Sequence, residues 1–327
     1  MSPATSPAPG SVLVTQPIHR SALTKLIDAG YAVTELASPV PLSAEKITER
    51  LGSAQALVCH LTDRVDEHVL SHPGLRVVAT VSAGMDHIDL DAAARHGVRV
   101  VNTPDVLTEA TADLAFALLL AVARRITESD ALVRGGGFHG WRLMDELMGV
   151  DLHGSTLGVV GFGRIGQAVA HRARRFGMSV LYHARRPRPE LPEHLGARHV
   201  PLPELLASSD FVSLHAPLTE ATHHLIDAEA LALMRPNAYL INTSRGALVD
   251  EAALAQALTA GTIAGAGLDV FENEPRVHPG LLARTERVVL TAHAGSATAR
   301  TRERMSHLAV DGLLRALDEP SAQPTQL

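Results

Sequence analysis

Cysteine is nearly absent from this chain of 327 residues, in which Cys59 is the only one. A single cysteine excludes an internal disulfide and a metal site built from several thiolates, and it predicts a reducing, cytoplasmic location. Cys59 lies in the apolar run ALVCH, which is typical of a buried strand. We therefore interpret its thiol as a core group rather than as a nucleophile.

Basic charge is also scarce, because 29 Lys and Arg residues face 35 Asp and Glu residues, for a formal net charge of -6. A nucleic-acid binder normally carries a net basic surface, so this class of protein is disfavoured. The longest apolar run, 114–123, is shorter than the roughly 20 residues that span a bilayer. The first ten residues, MSPATSPAPG, lack the basic and apolar regions of a signal peptide. We expect neither a membrane nor a nucleic-acid partner.

Short apolar runs alternate with helical patterns through the first third of the chain. Strands are predicted at 11–15, 31–36, 56–60, 76–80 and 97–104, and helices near 21–29, 43–52 and 90–96. This alternation is typical of a parallel sheet with helices on both faces.

A second alternating series begins at Thr156. Before it, the pattern predicts a long helix over 108–126 and then a glycine-rich excursion over 134–153 that fits neither helical nor strand periodicity. About six strand candidates follow, namely TLGVVG, SVLYH, FVSLHAP, AYLINTS, GAGLDVF and VVLTAHAG, and a last helix is predicted over 298–317. The fold class is therefore α/β, with two doubly wound parallel sheets.

A glycine motif, GFGRIG, follows the first strand of the second series. Gly161 permits a tight turn, Gly163 lets the backbone approach a pyrophosphate, and Gly166 lets the next helix pack closely on the strand. The amides of Arg164 and Ile165 would face the phosphates at the helix N-terminus. The strand–turn–helix context favours a dinucleotide site over a purely structural turn.

The end of the next strand lacks the carboxylate that usually binds the ribose hydroxyls of NAD. The chain reads Ala184, Arg185 and Arg186 there, with no acidic residue before Glu190. Arginines accept the 2′-phosphate of NADP, so we predict a preference for NADPH, although NADH remains possible. The alternative is that these arginines are solvated loop charges.

Three chemically active side chains follow the ends of strands in the second series. They are Arg245, Glu274 and His293, and the carboxyl edge of an open α/β sheet is where ligands bind. The arginine can hold a carboxylate and polarise a carbonyl, the histidine can deliver a proton, and the glutamate can orient the histidine and favour its protonated form. Singly, each residue could equally be a surface or core group. Together they suit the reduction of a keto acid.

Several motifs in order carry a resemblance to a known family: GFGRIGQAVA, HAPLTEATHHLI, LINTSRGALVDE, AGLDVFENEP and HAGSAT. From about residue 11 to 317, the chain resembles the D-isomer-specific 2-hydroxyacid dehydrogenases, and most closely their glyoxylate/hydroxypyruvate reductase branch. The resemblance implies that Arg245, Glu274 and His293 are catalytic, with His293 as the acid/base.

The resemblance also implies binding residues. On the cofactor side these are Thr111, Pro217, Thr222, Thr243, Ser244, Asp269 and Gly295, with Asp269 facing the nicotinamide carboxamide. On the substrate side they are the loop amides of Ala83 and Gly84, together with Arg245, Ser296 and Trp141. Asp86 matches a family aspartate and is interpreted as structural. No metal site is predicted.

The family's organisation implies a Rossmann cofactor domain over 104–294 inserted into a flavodoxin-like substrate domain, 1–103 plus 295–327. A cleft between the domains would close around the substrate. The excursion over 134–153 resembles the family's dimer arm, which would make the protein a homodimer and bring Trp141 to the partner's active site.

The sequence therefore predicts an NADPH-dependent reductase that converts glyoxylate or hydroxypyruvate to the D-2-hydroxy acid. A broad-specificity 2-keto acid reductase or another D-2-hydroxyacid dehydrogenase stays open. Three other branches of the family fit this sequence less well. Phosphoglycerate dehydrogenases often carry an extra regulatory domain. Phosphite dehydrogenases have a lysine at the position of Ala83, and formate dehydrogenases lack a glutamate like Glu274. A nucleotide-sensing module without turnover is a further alternative.

Overall fold

The strands of the chain form two separate parallel sheets. The computed structural model describes residues 10–36, 41–144, 147–187 and 195–319. One unit covers Met1–Leu107 and Ala297–Leu327, and the other covers Thr108–Ser296. The chain therefore passes between units a few residues beyond the predicted domain ends at 103 and 294. The assignment of substrate and cofactor to these units stays a prediction.

The first unit has a five-stranded parallel sheet in the order β2-β1-β3-β4-β5. Its strands are β1 (Ser11–Val14), β2 (Ala32–Glu35), β3 (Ala54–Cys59), β4 (Val77–Thr80) and β5 (Arg99–Val101). Its helices are α1 (Arg20–Asp28), α2 (Ala44–Leu51), α3 (Glu67–Leu70), α4 (Leu90–Arg95) and α12 (Ala299–Asp318). This strand order is that of flavodoxin-like folds, as predicted.

Alternation along the strands explains why both faces of this sheet are covered. Val12 and Val14 pack with α1 and α12, while Leu13, between them, packs with α2 on the other face. Successive side chains of a strand point to opposite faces, so a strand that is apolar at every position needs helices on both sides. The first sheet is therefore a buried layer.

The second unit has a seven-stranded parallel sheet in the order β12-β11-β10-β9-β6-β7-β8. Its strands are β6 (Thr156–Val160), β7 (Ser179–His183), β8 (Ala197–His199), β9 (Phe211–Leu214), β10 (Tyr239–Asn242), β11 (Gly265–Leu268) and β12 (Val288–Leu290). Its helices are α5 (Thr108–Ala123), α6 (Ile126–Arg134), α7 (Arg164–Arg175), α8 (Leu202–Ser208), α9 (Ala228–Leu233), α10 (Glu251–Ala260) and α11 (Pro279–Leu282). The strand order reverses between β6 and β9, as in dinucleotide-binding folds.

The predicted end of one helix was wrong, and one strand of the second sheet was missed. The helix predicted over 108–126 ends at Ala123, because Arg125 adopts a left-handed conformation (φ 52°) and a second helix, α6, begins at Ile126. The side chain of Arg125 is buried and donates to Glu128, at 3.0 Å. The short strand β8 was not predicted.

Beyond Arg134, the last residue of α6, the excursion over 134–153 contains neither helix nor strand among its described residues, as predicted. It exposes large apolar side chains, among them Phe138, Trp141, Leu143 and Met144. No helix in the described part of the chain is long and apolar enough to cross a membrane.

Candidate active site

The turn after β6 explains why two of the three motif glycines cannot carry a side chain. A Cβ at Gly161 would lie 2.4 Å from the Ala216 nitrogen, and one at Gly166 would lie 2.2 Å from the Gly161 carbonyl oxygen. Gly161 also has a φ of +89°, which side chains disfavour. The two glycines therefore allow the start of α7 to pack closely on the end of β6 and on the loop after β9.

Gly163 differs, because a Cβ there would meet nothing within 4 Å. It is the N-cap of α7, no side chain caps this helix start, and its first turn contains no acidic residue. The first turn of α7, with Arg164 and Ile165, therefore lies beside open space at Gly163, at the positive end of a twelve-residue helix. This cradle fits the pyrophosphate of a dinucleotide.

The end of β7 carries the predicted specificity residues. Ala184 is half-buried, and Arg185 and Arg186 are exposed. The carbonyl oxygen of Ala184 accepts a hydrogen bond from Nε2 of His199, at 3.1 Å, which holds the strand end in place. Among the described residues, no carboxylate pairs with either guanidinium. Glu190 lies outside the described residues.

The loop after β9 carries His215, which is hydrogen-bonded to Ser213 at 2.8 Å. Burial lowers the pKa of His215 to about 4, so this imidazole is neutral at physiological pH.

Two hydrogen bonds hold the loop after β9. The Ser244 hydroxyl donates to the carbonyl oxygen of Ala216, at 2.6 Å, and the Thr222 hydroxyl donates to that of Pro217, at 2.7 Å. The three predicted cofactor residues in these contacts thus hold the loops together.

Thr243 has a buried hydroxyl with no hydrogen-bond partner among the described residues. Buried polar atoms normally have a partner, so this hydroxyl is a candidate for contact with a bound molecule. It is consistent with the predicted place of Thr243 beside a dinucleotide.

Arg245 follows β10 in a turn whose backbone is held by two hydrogen bonds of the Asn242 side chain. The Asn242 side chain donates to the carbonyl oxygen of Arg245, at 2.8 Å, and accepts from the Ser244 amide, at 3.0 Å. Asn242 is buried. Sequence reasoning missed this residue, although an asparagine at a strand end before a turn is the signal that could have found it.

The loop after β11 lies directly against the Arg245 turn. A Cβ at Gly246 would come within 1.8 Å of the Phe271 carbonyl carbon, so the two backbones touch. Buried Glu251, at the start of α10, accepts from the backbone amides of Glu272 (2.7 Å) and His278 (3.2 Å). Sequence reasoning also missed Glu251, which fixes the loop that carries Glu274.

Glu274 and His293 form a hydrogen-bonded pair. Oε2 of Glu274 lies 2.9 Å from Nδ1 of His293, and Oε1 accepts from the Phe271 amide, at 3.0 Å. With Nδ1 donating to the carboxylate, Nε2 of His293 has no hydrogen-bond partner among the described residues. This arrangement leaves one ring nitrogen for a substrate.

The charge of Glu274 reflects its surroundings. Burial raises the pKa of this carboxyl, but hydrogen bonds from His293 and Phe271 and the charges of His293 and Arg245 together hold it below its ordinary value. The carboxylate is therefore ionised at neutral pH. The charge of Arg245 is the smallest of these contributions, and the catalytic roles of the three residues stay a prediction.

Asp269 supports the loop that carries His293. Its buried carboxylate accepts from the amides of Ala294 (2.7 Å) and Gly295 (2.8 Å) and from the Thr291 hydroxyl (2.6 Å). Gly295 also lies against Thr111, since a Cβ there would come within 3.4 Å of that side chain. Asp269 is thus an anchor of this loop, and its contact with a nicotinamide stays a prediction.

The predicted substrate loop in the first unit has its own hydrogen-bond network. Asn102 donates to the carbonyl oxygen of Ala83, at 2.7 Å, and Ser82 donates to that of Gly84, also at 2.7 Å. The Thr80 hydroxyl lies 2.9 Å from Nε2 of His87 and 2.8 Å from the Ser82 hydroxyl. The binding of a carboxylate by Ala83 and Gly84 stays a prediction, as do the substrate contacts of Ser296 and Trp141.

Comparison with known proteins places this site in a family. The model of the D-isomer specific 2-hydroxyacid dehydrogenase NAD-binding domain matches residues 116–295. A glyoxylate reductase of Thermococcus litoralis is 48% identical over 308 residues, which cover 93% of this chain and 92% of that protein.

Solved structures agree with this comparison. A Thermus thermophilus protein superposes with a TM-score of 0.88 at 48% identity, over 94% of this chain and 97% of that one. An NADPH-dependent glyoxylate/hydroxypyruvate reductase from Sinorhizobium meliloti, solved with NADP and malonate, has a TM-score of 0.84 at 36% identity, over 95% and 94% of the two chains. The chain belongs to the D-isomer-specific 2-hydroxyacid dehydrogenase family, in its glyoxylate reductase branch.

Proposed function

We propose that this protein is an NADPH-dependent reductase of a small 2-keto acid, glyoxylate or hydroxypyruvate, and forms the D-2-hydroxy acid. The observation that carries the proposal is the pair of His293 and Glu274, with Nδ1 of the imidazole on the carboxylate and Nε2 left for a substrate. The glyoxylate reductases among the relatives support the substrate class.

Arg245, His293 and Glu274 would each have one role in the reduction. Bound NADPH supplies a hydride to the keto carbon. The Arg245 guanidinium binds the substrate carboxylate and polarises the carbonyl, and Nε2 of His293 donates a proton to the carbonyl oxygen, which becomes the hydroxyl. Glu274 holds the ring orientation through Nδ1 and stabilises the positive charge that the protonated imidazole carries.

NADPH would bind across the start of α7. The helix N-terminus at Arg164 and Ile165 suits the pyrophosphate, and Arg185 and Arg186 suit the 2′-phosphate, because arginine pairs with phosphate oxygens in a planar fork. The absence of an acidic residue from positions 184–187 removes the group that would repel this phosphate.

The direct experiment measures initial rates with glyoxylate and with hydroxypyruvate, each with NADPH and NADH. We expect turnover with both keto acids and a higher kcat/KM with NADPH. Turnover that favours NADH would keep the role of His293 and contradict the role of the two arginines. Turnover with longer 2-keto acids at comparable kcat/KM would favour a broad-specificity reductase. Tight NADPH binding without any turnover would favour the nucleotide-sensing alternative.

We also propose that the protein acts as a homodimer in the cytoplasm. The excursion over 134–153 exposes Trp141 by 81%, Leu143 by 74% and Met144 by 74%. Contiguous exposed apolar side chains mark interaction sites more often than free surface. The proposed chemistry of a single chain uses none of these exposed side chains, which supports their use in an interface between two copies.

A further inference from the structure

A cluster of two histidines and a glutamate lies in the first unit, on α1 and α12. Glu303 and His307 are four residues apart on α12, so they occupy one face of that helix. His19, the residue before α1, faces the same surface. One ligand atom from each of the three residues lies within 4.8 Å of the others.

Backbone contacts hold His19 in this position. Its amide donates to the Ser306 hydroxyl, at 3.1 Å, and that hydroxyl in turn donates to the carbonyl oxygen of Arg302, at 2.8 Å. Further along the same pair of helices, Lys25 forms an ion pair with Asp311, at 2.8 Å. The approach of His19 to α12 is therefore determined by contacts that do not involve the imidazole.

The two imidazoles point to one place. The Ser21 hydroxyl lies 2.7 Å from Nδ1 of His19 and 2.8 Å from Nε2 of His307, and therefore bridges the rings. The ring centroids are 6.3 Å apart and the planes are tilted by 46°, so the rings are not stacked on each other. Nδ1 of His307 is buried without a partner among the described residues, which leaves Nε2 as the nitrogen that an ion could reach.

Two imidazoles and one carboxylate are a ligand set that zinc prefers. Zinc lies about 2.0–2.2 Å from such ligands, which places neighbouring ligand atoms about 3.4 Å apart in a tetrahedral site. Small side-chain rotations would bring the three groups to this spacing. Because His19 and Glu303 are exposed, a fourth place is left for water.

We propose that His19, Glu303 and His307 form a binding site for one zinc ion, which replaces the Ser21 hydroxyl as the link between α1 and α12. The site belongs to the first unit and contains no residue with a predicted part in keto-acid reduction. It does not depend on the proposed function, and it goes beyond the metal-free protein that the sequence predicts.

A second cluster, His223, His224 and Glu272, is the internal comparison. Its histidine rings are stacked, with centroids 4.1 Å apart, and His224 already pairs with Glu272, at 2.8 Å. A metal ion lies near the plane of each imidazole that binds it, so stacked rings cannot share one ion without moving apart. We therefore assign the zinc site to the first cluster.

The test is a calorimetric titration of tag-free, EDTA-treated, full-length protein with zinc chloride near neutral pH, with thermal unfolding alongside. We expect one zinc per chain and a rise in Tm of about 5 °C at zinc concentrations about 100-fold above Kd. Glu303→Gln should weaken binding by about tenfold and His307→Ala by about 100-fold, with unchanged far-UV circular dichroism. Ser21→Ala should bind zinc at least as tightly as the natural chain, because the competing hydrogen bonds are removed.

Two controls keep the experiment decisive. His68→Ala removes an exposed histidine from the same unit and should leave zinc binding unchanged. The double variant His223→Ala/His224→Ala should also leave it unchanged. The proposal is overturned if millimolar zinc neither binds nor raises Tm, if Glu303→Gln binds as the natural chain does, or if the double variant abolishes binding.

Discussion

Nδ1 of His293 lies 2.9 Å from Oε2 of Glu274, and the amide of Phe271 holds the other oxygen of the same carboxylate. The histidine follows β12 and the glutamate follows β11, two neighbouring strands of the second sheet. Parallel strands bring their carboxyl ends to one edge, so two loops that are separate in sequence can present one hydrogen-bonded pair. This pair carries the first prediction.

Replacing Glu274 by Gln removes the negative charge and keeps the size of the side chain. We expect kcat and kcat/KM for glyoxylate to fall together, by about 100-fold, because the protonated state of His293 loses its counter-charge. The pKa of Glu274 is lowered, so assays at about pH 5 and above compare an ionised carboxylate with an amide. Glu272→Gln is the matched control, since that carboxylate pairs with His224 instead. Equal losses in both variants would contradict the role of Glu274.

Replacing Arg185 and Arg186 together by Ala tests the cofactor preference. Charge-assisted hydrogen bonds to a phosphate are strong, so we expect the KM for NADPH to rise by about 10- to 100-fold and that for NADH to change little. Arg198→Ala is the control, because this exposed arginine on β8 already pairs with Glu204, at 2.9 Å. A similar rise in KM for both cofactors would show that the arginines do not select the 2′-phosphate.

The two glycines at the start of α7 should respond differently to a methyl group. Gly166→Ala places Cβ 2.2 Å from the Gly161 carbonyl oxygen, and we expect the free energy of unfolding to fall by about 1–3 kcal/mol. Gly163→Ala meets no atom within 4 Å, so stability should stay within about 0.5 kcal/mol.

The same Gly163→Ala variant should bind NADPH more weakly, by about tenfold, or ~1.4 kcal/mol, because its methyl group enters the space proposed for the pyrophosphate. Urea unfolding and fluorescence titration with NADPH measure the two quantities. Unchanged NADPH affinity would place the cofactor elsewhere.

His215 makes stability depend on pH. The unfolded chain binds a proton at this position below its ordinary pKa of 6.5, whereas burial keeps the folded imidazole neutral down to about 4. Its contribution to stability is therefore present above 6.5 and decreases as pH falls from 6.5 towards 4. The variant His215→Gln should show a slope of unfolding free energy against pH that is smaller by up to about 1.4 kcal/mol per pH unit in this window.

Urea unfolding at several pH values between these limits measures the slope for His215→Gln. His68→Gln, at an exposed position, is the control and should keep the slope of the natural chain. Burial also lowers the pKa of His60, which contributes equally in all three proteins. An unchanged slope in His215→Gln would mean that this histidine is protonated alike in the folded and unfolded chains.

The exposed excursion predicts the oligomeric state. Light scattering should give twice the 34.7-kDa chain mass, and Trp141→Ala should shift the dimer towards monomer and raise the KM for keto acids without unfolding the chain. Leu282→Ala is the control, because this leucine is 59% exposed but lies on α11, outside the excursion. A monomeric natural chain, or unchanged mass and kinetics in Trp141→Ala, would contradict the proposed interface.

Much of the fold was predictable because its cause is local. The central strands of both sheets are short and mostly apolar, as Val12, Leu13 and Val14 show in β1. The positions of the motif glycines and of Arg245, Glu274 and His293 after strand ends were predictable for a related reason, since parallel strands share their carboxyl edge, while the roles of these residues stay predictions.

Other features depend on partners that are distant in sequence. The end of α5 was predicted wrongly because Arg125 is buried against Glu128, whose carboxylate also accepts from the Arg287 amide, 159 residues away. Asn242 and Glu251 were missed because a side chain that binds the backbone of another turn has no periodic signal. The same holds for Ser21, which contacts His307 at a separation of 286 residues.

The sequence by itself thus determined the α/β class, the glycine turn and the chemical identity of the reactive side chains, because these follow from short-range patterns and residue chemistry. Only the tertiary structure decided which groups meet: His293 with Glu274, Asp269 with the loop after β12, and His19 with α12. The physical reason is that a hydrogen bond or a shared ion requires contact within a few ångström, and packing of helices on sheets sets those distances.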